Sequence, residues 1–156
     1  MAHKPSLVLY QPEIPPNTGN VARLTAGAGV DLHLVEPLGF SLEDKYLKRA
    51  GLDYWPRVRL TVWPDWLTME KHVQDEGGRF VFSTSHSGVN YCDFPFEKND
   101  FVVLGPETRG LPPELYADRP TVRIPVTDAV RSLNMSTAAG ILLYEALRVS
   151  SSLPYP

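Results

Sequence analysis

Asn17, Asn20 and Arg23 recur every three residues in the stretch Pro12-Glu-Ile-Pro-Pro-Asn-Thr-Gly-Asn-Val-Ala-Arg23. A helix starting there gathers two amides and a guanidinium near its N-terminus, where unpaired backbone N–H groups favour an anionic phosphate. Capping of the helix by Asn17, with Arg23 on the surface, accounts for the same residues. A second run, Leu104-Gly-Pro-Glu-Thr-Arg-Gly-Leu-Pro-Pro113, turns at Gly105-Pro106 and again at Gly110 and Pro112. It makes a stiff loop with bare backbone, able to read the edge of a purine through peptide groups. The alternative is a tight turn with Glu107 and Arg109 solvated. In a third run, Ile124-Pro-Val-Thr-Asp-Ala-Val-Arg-Ser-Leu-Asn134, Ser132 and Asn134 bring a hydroxyl and an amide to the start of a helix, which suits both capping and ligand binding.

The elements that must position these loops alternate. Ser6–Tyr10 reads as a buried strand, followed by a helix capped by Asn17 or Thr18, with Val21, Leu24 and Ala28 on one face and Gly27 and Gly29 at its exit. Asp31–Glu36 reads as the next strand. A charged helix spans about Glu43 to Ala50 and stops at Gly51, and Arg59–Val62 is a short strand. Pro64 suits the first turn of a helix running to about Glu76, stopped by Gly77 and Gly78. Arg79–Ser83, Asp100–Leu104 and Thr121–Ile124 are further strands, with a short helix over Pro112–Ala117. The last helix, about Asn134 to Ser150, carries Met135, Ala138, Leu142 and Ala146 in one stripe. This alternation predicts one α/β domain over residues 1–156, a mainly parallel sheet with helices on both faces. Ligands of such sheets bind beyond the carboxyl ends of the strands, which selects the loops after Tyr10, Ser83, Leu104 and Ile124.

Composition removes several classes. With 43% hydrophobic and 21% charged residues in 156, the chain is typical of soluble globular domains. No apolar run approaches the roughly 20 residues of a membrane span, and the first ten residues do not read as a secretory leader, so the expected location is the cytoplasm. The single cysteine, Cys92, makes no internal disulfide, and His3, His33, His72 and His86 lie at no zinc-ligand spacing with it. Gly27-Ala-Gly29 ends a helix instead of opening one and lacks a third glycine, so it is no dinucleotide fingerprint. Phosphate-loop, nucleophile-elbow and HExxH motifs are also missing. The net charge of −3 is unevenly spread: Lys45 to Arg59 sums to +4 and the remainder to −7. That stretch is a basic patch on an acidic body, open to reading as a phosphate-binding surface or as a solvated helix face.

Taken together, the three loops resemble the knotted SPOUT class of S-adenosylmethionine-dependent RNA methyltransferases, in its 2′-O-methylating branch. Asn17 to Arg23 is similar to the first motif of that branch, Leu104 to Glu107 with Arg109 to Pro112 to its second, and Ser132 to Ser136 with Tyr144-Glu-Ala146 to its third. The opening Tyr10 to Asn17, the stretch Asp44 to Tyr54, and Arg131-Ser132 resemble the tRNA wobble-nucleotide 2′-O-methyltransferases acting on cytidine and modified uridine. That resemblance implies a deep C-terminal trefoil knot, a homodimer with sites near the subunit interface and Tyr144 in that interface, and S-adenosylmethionine as cofactor without a metal. It implies that Ser83, Thr84, Gly105, Glu107, Ile124, Ser132 and Leu133 hold the cofactor, and that Arg23, Ser132 and Asn134 serve catalysis. Asn17, Arg23, Lys45, Lys48, Arg49, Arg109 and Arg131 would contact a tRNA anticodon stem-loop. With no appended RNA-binding domain in these residues, recognition falls to the dimer surface. A 2′-O-methyltransferase of another RNA, or a non-catalytic knotted RNA-binding protein, are the competing expectations.

Overall fold

In the computed structural model, which describes residues 3–45, 47, 49 and 54–155, seven strands form one sheet in the order β3-β2-β1-β6-β4-β7-β5. They are β1 (Ser6–Tyr10), β2 (Asp31–Val35), β3 (Arg59–Trp63), β4 (Arg79–Ser83), β5 (Val89–Asn90), β6 (Asp100–Leu104) and β7 (Thr121–Arg123). Every pairing is parallel. The helices are α1 (Pro15–Ala28), α2 (Trp66–Asp75), α3 (Pro113–Tyr116) and α4 (Met135–Val149), with 3-10 turns at Trp55–Arg57 and Tyr91–Asp93.

The strands are continuous apolar runs because both faces are covered. Successive side chains point to opposite faces of a strand, so each strand feeds two cores. Leu7, Leu9, Leu32, Leu34, Val81, Val102 and Leu104 lie in the core shared with α1 and α4, which pack against each other. Val8, Val35, Phe80, Phe82 and Val103 face the other way, against Trp66, Met69 and Val73 of α2. Fully burying one Leu or Val contributes about 1.5–3 kcal/mol, so these two layers dominate the stability of the sheet.

An ion pair between a half-buried arginine and a buried aspartate ties β4 to β6. Asp100, wholly excluded from solvent, accepts from Arg79 Nε at 2.7 Å and Nη2 at 2.8 Å, and from the Glu97 N–H at 2.7 Å. These bonds to the carboxylate push the Arg79 guanidinium pKa further up.

Several boundaries differ from the sequence reading. Helix α1 begins at Pro15, not after Asn17 or Thr18, and its N-cap Ile14 offers no side-chain cap. Two prolines at its first positions cost nothing there, since those N–H groups have no intrahelical partner. Gly27 lies inside α1, and Gly29 alone is the left-handed exit, at φ 69°. Pro64 precedes α2, whose cap is Asp65, accepting from Thr68 N–H at 2.8 Å. The two-residue edge strand β5 was not foreseen, because so short a run carries no periodicity. On α4, Ala139 rather than Ala138 is fully buried. Of the charged helix, Lys45, Leu47 and Arg49 are helical, whereas Lys48, Ala50 and Gly51 lie outside the described residues.

Candidate active site at the carboxyl end of the sheet

Parallel pairing delivers the ends of β1, β4, β6 and β7 to one edge of the sheet, and the loops that follow enclose a cleft of about 730 Å³. Such a volume suits a small-molecule or cofactor site. The β4 loop supplies Ser83 to His86, the β6 loop Leu104 to Leu111, and the segment after β7 Ile124 and then Arg131 to Asn134. Ile14 and Asn17 of the α1 entry, Tyr116 of α3, and Met135 and Ala138 of α4 complete the lining. The expected residues Asn17, Ser83, Thr84, Gly105, Glu107, Arg109, Ile124, Arg131, Ser132, Leu133 and Asn134 are thereby brought together. The sequence alone assigns no site role to Ser85, His86, Leu111 or Tyr116, and marks Met135 only as part of the apolar stripe of the last helix.

Carboxylates lace the loops. Glu107 accepts from the backbone N–H groups of Glu13 and Ile14, both at 2.8 Å, and from Asn17 Nδ2 at 3.3 Å. It therefore supplies to the start of α1 the cap that Ile14 cannot. Glu13 reciprocates, accepting from the Thr108 N–H at 2.9 Å and from Thr108 Oγ1 at 2.7 Å. The Thr108 backbone and hydroxyl bonds, in that order, hold the Glu13 carboxyl below the usual carboxylate range. Arg109 donates to Gln11 Oε1 at 3.2 Å, which gives the two loops a third tie.

Asn17 and Asn134 extend this lacing to the last helix. Asn134 Nδ2 donates to Asn17 Oδ1 at 3.1 Å, and Asn134 Oδ1 accepts from Ser136 N–H at 2.9 Å and Ser136 Oγ at 2.6 Å, capping α4. Asn17 is buried, so its amide is a fixed strut between the two helix starts and not a solvated cap. Gly105 also differs from expectation. A Cβ there would lie 2.5 Å from Leu111 N and 2.7 Å from Gly110 C, so the missing side chain lets the loop fold back on itself. The approach it permits is of this loop to its own backbone, before any ligand is considered.

Other expected residues stand apart from the cleft. Arg23 is exposed on α1 and does not line it; its guanidinium lies over the Tyr54 ring, 4.8 Å from the centroid. Lys45 and Arg49 are exposed. Arg59, counted in the basic stretch, is engaged by Asp31 at 2.7 Å and by the Gly29 carbonyl at 2.6 Å. Tyr144 is 41% exposed on α4, where a Cβ at Gly140 would meet nothing within 4 Å. Among the described residues no helix is long and apolar enough to cross a membrane, and no group of three or more His, Cys, Asp and Glu could hold a metal ion.

Residues 4–144 match the SpoU rRNA methylase family. The chain belongs to that family. A tRNA (cytidine(34)-2′-O)-methyltransferase of Methylovorus glucosotrophus is 49% identical over 146 residues, 91% of this SpoU-family chain and 93% of the relative. A solved structure described as giving insight into 2′-OH methylation of C/U34 on tRNA superposes with a TM-score of 0.90 at 45% identity, covering 94% of this chain and 96% of the other. The SpoU methyltransferase AviRb of Streptomyces viridochromogenes, solved with AdoMet, shares the fold at a TM-score of 0.85 and 22% identity, with 95% of this chain covered and 61% of that one. The α/β fold with its parallel sheet is thus that of SpoU methyltransferases.

Proposed function

We propose that this SpoU-family chain methylates the ribose 2′-hydroxyl of nucleotide 34 of tRNA, a cytidine or modified uridine, using S-adenosylmethionine without a metal, in the cytoplasm. The observation that carries this reading is near-full-length identity of 45–50% to proteins named for that reaction. The cleft fits the cofactor. Leu104, Leu111, Leu133 and Met135 are apolar lining, while the hydroxyls of Ser83, Thr84 and Ser132 and the peptide groups around Gly105 and Ile124 offer hydrogen bonds. When bound, S-adenosylmethionine supplies an electrophilic methyl group on a sulfonium.

The chain's own part is to hold the acceptor in line and give its proton a route. Arg23 binds the phosphate beside the target ribose and polarises the hydroxyl, while the proton leaves through that phosphate or water. A guanidinium stays protonated at any working pH, so Arg23 serves as a donor and not as the base. Asn134 and Ser132 orient the ribose, and Asn17 and Glu107 keep the cleft loops in register. Arg109, Arg131, Lys45, Lys48 and Arg49 contact the anticodon stem-loop.

Because Arg23 lies outside the cleft of its own chain, the working site is composite, with Arg23 of one subunit serving the cofactor of its partner in a homodimer built on α1 and α4. Open space at Gly27 and Gly140 and the exposed Tyr144 support that interface. We also assign the chain a C-terminal trefoil knot. The support is that β7 lies outside β4 and β6, while α4, which follows it, returns to pack on β1 and β6.

The test is methylation of anticodon stem-loop transcripts with labelled S-adenosylmethionine in the presence of chelator. A 2′-O-methyl mark at nucleotide 34, read as resistance to alkaline cleavage, is expected. Methylation elsewhere on the RNA, no methylation of any RNA, or a requirement for metal would overturn the assignment.

A further inference from the structure

None of the described residues between Asp44 and Tyr54 lines the cleft, yet the stretch ends on a residue that touches Arg23. The Arg23 guanidinium carbon sits 4.8 Å from the centroid of the Tyr54 ring. Among the described residues the guanidinium makes no hydrogen bond or ion pair, so this ring is what restrains it. Tyr54 is itself held. The Arg57 N–H donates to the Tyr54 carbonyl at 2.8 Å, opening the 3-10 turn Trp55–Arg57. That turn packs on α1, and Trp55 and Val58 sit against the core to which α1 contributes.

The choice of an aromatic partner has a chemical consequence. A carboxylate beside Arg23 would occupy its N–H groups and offset its charge. A ring over the face of the guanidinium takes neither, because the N–H donors point outward in the guanidinium plane. It removes part of the rotamer freedom of a long side chain before the ligand arrives, a cost that otherwise falls on binding or on the transition state.

We propose that Tyr54 is a positioning residue for methyl transfer: its ring holds the Arg23 guanidinium in place with its donors free for the phosphate and 2′-hydroxyl of the acceptor nucleotide. The inference rests on the reading of Arg23 given under the proposed function.

The experiment measures single-turnover methylation of an anticodon stem-loop, together with cofactor affinity, RNA affinity and thermal midpoint, on full-length protein. Tyr54→Phe and Tyr54→Trp keep a ring and should retain the rate within about twofold, whereas Tyr54→Leu should slow it about fivefold, the upper scale of a cation–π contact at an exposed site. Affinity for the cofactor and the thermal midpoint should stay as in the unaltered protein. In an Arg23→Ala background, Tyr54→Leu should cause no further loss. Equal losses in Tyr54→Phe and Tyr54→Leu, or a Tyr54→Leu effect that persists without Arg23, would overturn the proposal. A rate left unchanged by Arg23→Ala would instead remove the reading of Arg23 on which it stands. If Tyr54→Leu fails to fold, loss of rate in Tyr54→Trp or Tyr54→Phe at unchanged thermal midpoint overturns it equally.

Discussion

Asn134 donates from Nδ2 to Asn17 Oδ1 at 3.1 Å across 117 positions of sequence, and Asn17 passes its own Nδ2 donor to Glu107. The relay couples the start of α4 to the start of α1 and to the loop after β6. Asn17→Asp keeps the size of the side chain but replaces the donor facing Glu107 with a second carboxylate oxygen. It should destabilise the fold by about 1–3 kcal/mol, the range for a buried polar group left unsatisfied, and weaken S-adenosylmethionine binding. Urea unfolding and calorimetry check both, and unchanged values would mean that the relay does not hold the cleft.

The Glu13–Thr108 tie predicts a pH effect on the same cleft. A carboxyl pKa lowered in the folded state contributes stability that is present above its unfolded value, near about 4.3, and lost as pH falls through the folded one. Cofactor affinity should therefore decline on acidification below about pH 4.3 as the tie is released. Thr108→Val, which deletes the hydroxyl, should weaken affinity already at neutral pH. Titration calorimetry across that range is the check.

His33 points the other way across the sheet. Its Nδ1 accepts from Trp63 Nε1 at 3.0 Å, which leaves the ring proton on Nε2. Burial lowers its pKa, against the opposing pull of Asp31 and Glu76 and alongside His72. The unfolded chain then takes up the proton first on acidification, so the contribution is whole above about pH 6.5 and is lost as pH falls below it. His33→Gln should flatten the slope of unfolding stability between neutral pH and about pH 5.5. A slope equal to that of the unaltered protein would refute the assignment.

Arg79→Met would leave the Asp100 carboxylate buried without its guanidinium. Breaking one side of such a pair costs about 3–5 kcal/mol, so the variant should melt far below the parent. A change under about 1 kcal/mol would place Asp100 in a wetter setting than its burial implies.

Gly140→Ala distinguishes a helix surface from an interface. On a lone chain the added Cβ meets open space and should stabilise α4 by about 0.5–1 kcal/mol. In the homodimer proposed above, Gly140→Leu and Tyr144→Ala should shift the assembly toward monomer in light scattering. Dimers of unchanged stability would move the interface off α4.

Periodicity and turn chemistry made the α/β class and most elements legible, because both are local. Ser6–Tyr10, Asp100–Leu104 and the stripe Met135, Leu142 and Ala146 follow from side-chain spacing alone, and the three loops were marked by glycine, proline and amide residues packed into short stretches. What sequence could not show is where polar side chains point once distant segments meet. Asn17 had the signature of a cap, yet Glu107, ninety residues away, supplies the cap while Asn17 bridges two helices. Glu13 and Thr108 carried no signal at all, since their pairing exists only because β1 and β6 are adjacent. Gly105 was legible as a special backbone position, but its reason, the return of the loop at Leu111, required coordinates. Charge counting grouped Arg59 with the basic stretch, whereas register places it opposite Asp31. Local residue types determined which elements form and which loops are unusual; parallel register and helix packing decided which of those residues meet, because a contact spanning many residues depends on the topology of the whole sheet.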